Sequence, residues 1–198
     1  MRAKSVPTMA SGPLMDTAGV DAESLADAID RACRLTGEFT LRSGQVASEY
    51  FDKYRFESDP VLLRTMAEMM VPVVPEGTEL LGGLELGGVP IVTILSSLTG
   101  IPAVFIRKQA KPYGTCRLVE GADVEGRQIT MVEDVLTTGG AVRDATAALR
   151  ALGANVDVVL CAIDRSGQDG GPVTDVGLET RAVLTKADLD AAHARARQ

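Results

Sequence analysis

The chain has 198 residues, enough to bury one substantial core and too few for two sizeable domains. Hydrophobic residues make up 45% and charged residues 24%, ordinary globular proportions, and no apolar run reaches membrane-spanning length. Twenty Lys and Arg stand against 27 Asp and Glu, a net charge of −7, which argues against a general nucleic-acid binder but leaves room for a local site for an anionic small molecule.

Residues 1–20 read as a flexible tail. They lack the compact apolar core of a signal peptide, so a cytoplasmic protein is expected, and Met9 or Met15 could be the start. Residues 21–198 are expected to form a single domain. Leu25, Ala28, Ile29, Ala32 and Leu35 fall at helical spacing over 21–35, with Asp21 as N-cap. A short strand over 39–41, a turn over 42–45 and a strand over 48–56 make a hairpin. Pro60 opens a helix to about residue 70. Then follow a strand over 79–82, a break at Gly87-Gly88, a buried helix over 89–98 closed by Gly100, and a strand over 102–106. The polar stretch 108–126 is long for a connection inside a compact domain, and long connections are usually functional or mobile. A buried strand over 128–132 ends in two acids. Gly139-Gly140 opens a helix with Ala141, Ala145, Ala148, Leu149 and Leu152 on its apolar side, and Gly153 ends it. Apolar strands follow over 156–163 and 180–184. Alternating strands and helices predict an α/β fold with a mostly parallel central sheet flanked by helices.

Cys33, Cys116 and Cys161 are widely spaced, no CxxC occurs, and His193 is the only histidine. A structural zinc site and a histidine triad are both disfavoured, and the cysteines read as free thiols in a reducing compartment.

The most informative segment is 128–142. Its strand brings Glu133 and Asp134 to the carboxyl end, where open α/β sheets bind ligands. Thr137, Thr138, Gly139 and Gly140 then lead into a helix, and such a turn aims backbone N–H groups and hydroxyls at a phosphate. Two carboxylates beside an anion site need a target of their own, and sugar hydroxyls or a divalent cation supply one. GxxxxGK[ST] and GxGxxG are both missing. An ordinary tight turn is the bland alternative, and the double acid on an apolar strand weighs against it.

MVEDVLTTGGAV, residues 131–142, resembles the phosphoribosyl pyrophosphate motif of type I phosphoribosyltransferases. Three further segments resemble the orotate phosphoribosyltransferase family. Phe39 to Gly44 with Ser48, Tyr50, Phe51 and Asp52 is similar to its N-terminal hairpin. Arg107-Lys108-Gln109-Ala110-Lys111 with Gly114 and Thr115 is similar to its mobile catalytic loop, and Asp164-Arg165 with Gly170-Gly171 to the segment whose arginine contacts orotate. The resemblance implies the type I phosphoribosyltransferase fold with a small hood hairpin at about 37–57 and a mobile loop at about 107–118. It implies transfer of a phosphoribosyl group to orotate, giving orotidine 5′-phosphate, with Mg²⁺ held mainly by substrate and water. Lys108, Lys111, Glu133 and Asp134 would be catalytic. Arg107, Lys108, Lys111 and Tyr113, with Glu133, Asp134, Val135, Leu136, Thr137, Thr138, Gly139, Gly140 and Ala141, would bind the donor. Thr137 and Arg165 would bind orotate, and Arg42 would lie near the diphosphate or orotate. Lys108 would reach a neighbouring subunit's site, which implies a homodimer with shared sites and no nucleic-acid or membrane partner. Tyr113 stands where many members carry histidine, and Gly87 where some relatives place lysine; the N–H groups of Gly87 and Gly88 could still serve the diphosphate. A phosphoribosyltransferase for another base, or a non-catalytic regulator that keeps the donor site, is the alternative.

Overall fold

The computed structural model describes residues 21–40, 44–109 and 118–198. The elements run α1 (Ala22–Cys33), β1 (Arg34–Thr40), β2 (Val46–Phe51), α2 (Tyr54–Glu57), α3 (Pro60–Met70), β3 (Leu80–Leu84), α4 (Gly88–Thr99), β4 (Ala103–Ile106) and β5 (Val119–Glu120). They continue with β6 (Gln128–Leu136), α5 (Gly140–Ala151), β7 (Asn155–Asp164), β8 (Glu179–Thr185) and α6 (Lys186–Arg195). Six strands form the central sheet in the order β5-β4-β3-β6-β7-β8. All neighbours are parallel except β5, which runs antiparallel to β4 at one edge. β3 is buried along its whole length and β6 and β7 nearly so, as expected of parallel strands covered on both faces.

Two hydrophobic clusters divide along the sheet. One joins Leu25 and Ile29 of α1, Met66 and Met70 of α3, Ile91 and Leu95 of α4, and Leu189 of α6 to Leu81, Val132 and Leu160. The other packs Val142, Ala145 and Leu149 of α5, with Val173 and Leu178, against Ile129, Met131, Val156 and Val159. The α/β expectation and the mostly parallel sheet are therefore borne out. Among the described residues no helix is long and apolar enough to cross a membrane. Cys33 and Cys161 are buried free thiols, and burial raises the Cys33 thiol to about 12.

β1 and β2 form a separate antiparallel hairpin with an irregularity between Thr36 and Phe39. The Phe39 and Tyr50 rings lie 5.6 Å apart on it. Its base is tied to α1: Arg34 donates to Asp30 at 2.8 Å and to Glu49 at 3.0 Å, and the Asp52 N–H donates to the Cys33 carbonyl at 2.8 Å.

Several boundaries differ from the sequence reading. α1 stops at Cys33, because Arg34 already has extended backbone and Leu35 pairs with Tyr50 in the hairpin. β2 ends at Phe51 rather than 56. The Asp52 N–H leaves the ladder for the Cys33 carbonyl, and the turn of α2 carries Phe56 fully into the core. β6 runs on to Leu136, so both acids lie within the strand and not beyond it. On α5 the buried face is Val142, Ala145, Thr146 and Leu149; Ala141 and Leu152 are exposed. α6 was not anticipated. It begins with a reciprocal capping box in which Asp188 N–H donates to Thr185 Oγ1 and Thr185 N–H donates to Asp188 Oδ2. The tail 1–20, Arg42, and Lys111, Tyr113, Gly114 and Thr115 of the basic loop lie outside the described residues.

Thr185→Ala removes the side-chain half of that capping box. It should lower unfolding free energy by about 1 kcal/mol in urea titration without changing the slope of the transition.

Candidate active site

The site is built on the carboxyl end of β6. Successive strand residues face opposite sides of a sheet, and Met131 and Val132 accordingly join opposite hydrophobic clusters. The same alternation separates the adjacent acids. Glu133 turns towards a cavity of about 660 Å³ that it lines with Thr137, Thr138, Gly139, Gly140 and Ala141. Val135 and Leu136 line it too, and the opposite wall comes from Lys53, Tyr54, Glu85, Leu86, Arg107 and Lys108. Asp134 has no exposure and is not part of the wall.

The 137–140 turn is held by two devices. Gly139 has φ +73, a left-handed conformation, and a Cβ there would lie 2.5 Å from Val173 Cγ1. Arg143, in the first turn of α5, donates to the carbonyls of Thr138 and Pro172 and makes a two-pronged pair with Asp175 at 2.8–2.9 Å. No side chain caps the start of α5, so its leading N–H groups and the positive end of its dipole are presented to the cavity beside Thr137 and Thr138. Such a helix start suits an anion.

Beneath the cavity lies a cluster that the sequence reading missed. The Lys53 ammonium pairs with Asp134 Oδ2, and the Val135 N–H donates to Asp134 Oδ1 at 2.5 Å. Glu57, 7% exposed, packs against the same carboxylate with its Oε1 buried. Burial alone would raise the Asp134 carboxyl, but hydrogen bonds with Glu133, Glu57 and Lys53 outweigh it and hold Asp134 well below the usual carboxylate range. Burial and the Asp134 charge push Glu57 up to about 8 and Glu133 up to about 9. One carboxylate thus carries the negative charge, balanced by Lys53, while its two neighbours keep their protons at neutral pH. The signal for this cluster was the four-residue spacing of Lys53 and Glu57, which places them together on one helical turn. Reading 48–56 as strand concealed it.

The turn between β3 and α4 closes directly on this cluster. A Cβ at position 87 would lie 1.6 Å from Asp134 Oδ2 and 2.9 Å from Glu57 Oε1, and one at position 88 would lie 2.3 Å from the Val132 carbonyl oxygen. Gly87 and Gly88 are buried under the turn, and it is Glu85 and Leu86 that reach the cavity. The peptide bond between Glu85 and Leu86 is cis.

Of the expected basic residues, Arg107 and Lys108 line the cavity of their own chain. The Lys108 N–H donates to Glu85 Oε2 at 3.1 Å, and Arg107 Nε is buried with no hydrogen-bond partner. Arg165 is tied to the end of β6 by its N–H, which donates to the Leu136 carbonyl at 2.8 Å. Its guanidinium stacks over the Phe51 ring of the hairpin at 4.9 Å and is not part of the cavity wall. Burial, with the nearby Arg34 charge, lowers its pKa. No three His, Cys, Asp or Glu side chains among the described residues converge to hold a metal ion.

No protein-family model matches the chain. Its sequence is 68% identical over 173 residues to the orotate phosphoribosyltransferase of a Nocardioides species, covering 87% of this chain and 96% of that protein. The structure superimposes on Mycobacterium tuberculosis orotate phosphoribosyltransferase in complex with Fe(III) dicitrate with a TM-score of 0.76 and 32% identity, over 86% of this chain and 99% of that one. The same enzyme in complex with 5-phospho-α-D-ribosyl 1-diphosphate matches with a TM-score of 0.71 and 29% identity, over 86% of this chain and 99% of that one.

Two outcomes follow from the buried cluster. Gly87→Ala should destabilise the fold by about 1–3 kcal/mol in urea titration, because the new methyl collides with Asp134, and activity should fall with it. Glu57 and Glu133 retain protons in the folded protein at pH values where the unfolded chain has lost them. Stability should therefore fall as pH rises from about 4.5 through about 8 to about 9. Glu57→Gln should make that fall shallower, read as a smaller drop in Tm across the same window.

Proposed function

The chain belongs to the orotate phosphoribosyltransferase family, whose reaction in pyrimidine synthesis converts orotate and 5-phosphoribosyl 1-pyrophosphate into orotidine 5′-phosphate and pyrophosphate, and we propose that the cavity above β6 is where it occurs. The observation that carries this reading is the meeting of opposite requirements at one strand end. An uncapped helix start with Thr137 and Thr138 suits a phosphate, and Glu133 a few residues earlier suits sugar hydroxyls.

The reaction is a displacement at the anomeric carbon with oxocarbenium character in the transition state. An orotate ring nitrogen forms the new bond to that carbon, and the bond to the diphosphate oxygen breaks with its electron pair leaving on pyrophosphate. The protein need not supply a nucleophile, so its work is positioning and charge neutralisation. Residues Thr137 to Ala141 cradle the 5′-phosphate. Glu133, on the cavity wall, meets the ribose hydroxyls; Asp134, expected from the sequence to share that contact and to take the orotate proton, has no exposure and instead anchors the floor through Val135 and Lys53. Arg107 and Lys108, with Lys111 further along the chain, neutralise the departing diphosphate, and Tyr113 donates a hydrogen bond to it. Thr137 and Arg165 contact orotate, and the Phe51 ring holds the guanidinium plane that would meet the planar acid.

The oxygen donors of this wall, Glu133, Thr137 and Thr138 among them, fit the water shell of a Mg²⁺ carried in by the diphosphate. Such an ion would supply charge neutralisation for the departing diphosphate. We further propose a homodimer in which Lys108 also serves the neighbouring site, working in the cytoplasm, where the buried thiols of Cys33 and Cys161 would stay reduced.

The test is consumption of orotate with the donor and Mg²⁺ beside a panel of other bases; turnover of another base in preference to orotate overturns the assignment. Lys108→Ala should lower kcat roughly a hundredfold or more with the circular dichroism spectrum unchanged. Mixed one to one with Asp134→Asn, it should recover about a quarter of wild-type activity if subunits exchange and sites are shared. A mixture as inactive as its components, with exchange verified, excludes shared sites.

A further inference from the structure

We propose that Lys53 is a substrate-binding residue of this reaction, its ammonium bridging the buried Asp134 carboxylate to a phosphoryl oxygen of the diphosphate of the ribose donor. The inference rests on the reading of the cavity as the donor site. It starts from the asymmetry of one ion pair. Asp134 has no exposure, whereas the Lys53 side chain is 32% exposed and lines the cavity. The pair therefore has its anion below the floor and its cation on the wall. An ammonium has three N–H donors, and Asp134 takes one of them. The face of the ammonium turned towards the cavity can donate to an anion without leaving Asp134.

The surroundings leave that task to Lys53. Among the described residues the other cations on the cavity wall are Arg107 and Lys108, both on the segment that follows β4. The turn nearest the acid strand cannot carry a cation at position 87, because even a Cβ there would sit 1.6 Å from Asp134 Oδ2. A positive charge at this end of the cavity has to be delivered from another element, and Lys53 delivers it from the junction of β2 and α2. Tyr54 lies 5.3 Å below the ammonium, with its ring centroid facing it, which steadies the charge on one further side. A purely structural counter-ion for Asp134 would need none of this exposure.

Two variants and one wild-type measurement decide the matter. Calorimetric titration with 5-phosphoribosyl 1-pyrophosphate and Mg²⁺ should show Kd raised roughly tenfold to a hundredfold in Lys53→Met, the loss expected for one charged hydrogen bond. KM for the donor should rise in parallel while KM for orotate stays within about twofold, and Lys53→Arg should recover part of the loss. Donor affinity equal to wild type in a folded Lys53→Met protein overturns the proposal. If Lys53→Met fails to fold by circular dichroism, the wild-type protein carrying ¹³C-methylated lysines is read by NMR. The Lys53 methyl signal should move on adding the donor and not on adding orotate alone, and a signal indifferent to the donor overturns the proposal. A wild-type protein that binds the donor but turns over no orotate would instead overturn the choice of acceptor, leaving the Lys53 result readable.

Discussion

A carboxylate with no access to water governs the arrangement of this molecule. Taking Asp134 out of solvent is costly unless its charge is matched and both oxygens are engaged. The Val135 N–H engages one oxygen and the Lys53 ammonium the other. The consequences spread outward from there. Lys53 must leave the hairpin at the point where β2 gives way to α2. Glu57, one turn on, must keep its proton because its neighbour has taken the available charge. Positions 87 and 88 must be glycine because the turn before α4 lies directly on the carboxylate and its strand. Three segments of chain, 53–57, 87–88 and 134–135, are thus fixed around two carboxylate oxygens.

The second half of the site follows a different rule. In the reading proposed above, the turn over 137–140 presents bare N–H groups to an anion and cannot use them to hold itself together. Arg143 and Asp175 do so from behind, together with the carbonyls of Thr138 and Pro172. The face towards the cavity stays unencumbered while its back is bolted to the segment before β8. Acid floor and anion turn then lie on one rigid strand-to-helix unit, which suits a reaction whose catalysis is mostly positioning.

The parts of the fold written in strong periodicity were legible from residues alone. The buried strands, α3, α4 and α5 all have apolar patterns long enough to decide their type. α6 was not, because it buries only Leu189 and Ala192 and lies on the surface of α1. Its Thr185 and Asp188 capping pair was nonetheless visible. The Glu133-Asp134 motif was legible as a unit. What it concealed was depth: two adjacent strand residues face opposite ways, so only one of the acids lines the cavity. That could have been deduced from the period of the strand. The closeness of Gly87 to Asp134 could not, because it depends on how β3 and β6 pair side by side, and no local pattern encodes that distance.

The hairpin therefore has a larger part than a cover. Phe51 supports the Arg165 guanidinium, the group proposed above to meet the planar acceptor, and two residues later Lys53 holds Asp134. Arg165 is itself tied to the end of β6 through the Leu136 carbonyl, so hairpin, Arg165 and acid strand form a closed loop of contacts. A displacement of the hairpin would loosen the acceptor and donor sides together. If Arg165 and Lys53 have the roles proposed above, this coupling has a use in a two-substrate displacement: the attacking nitrogen and the anomeric carbon would be located by the same short segment, and an error in one position would be felt in the other.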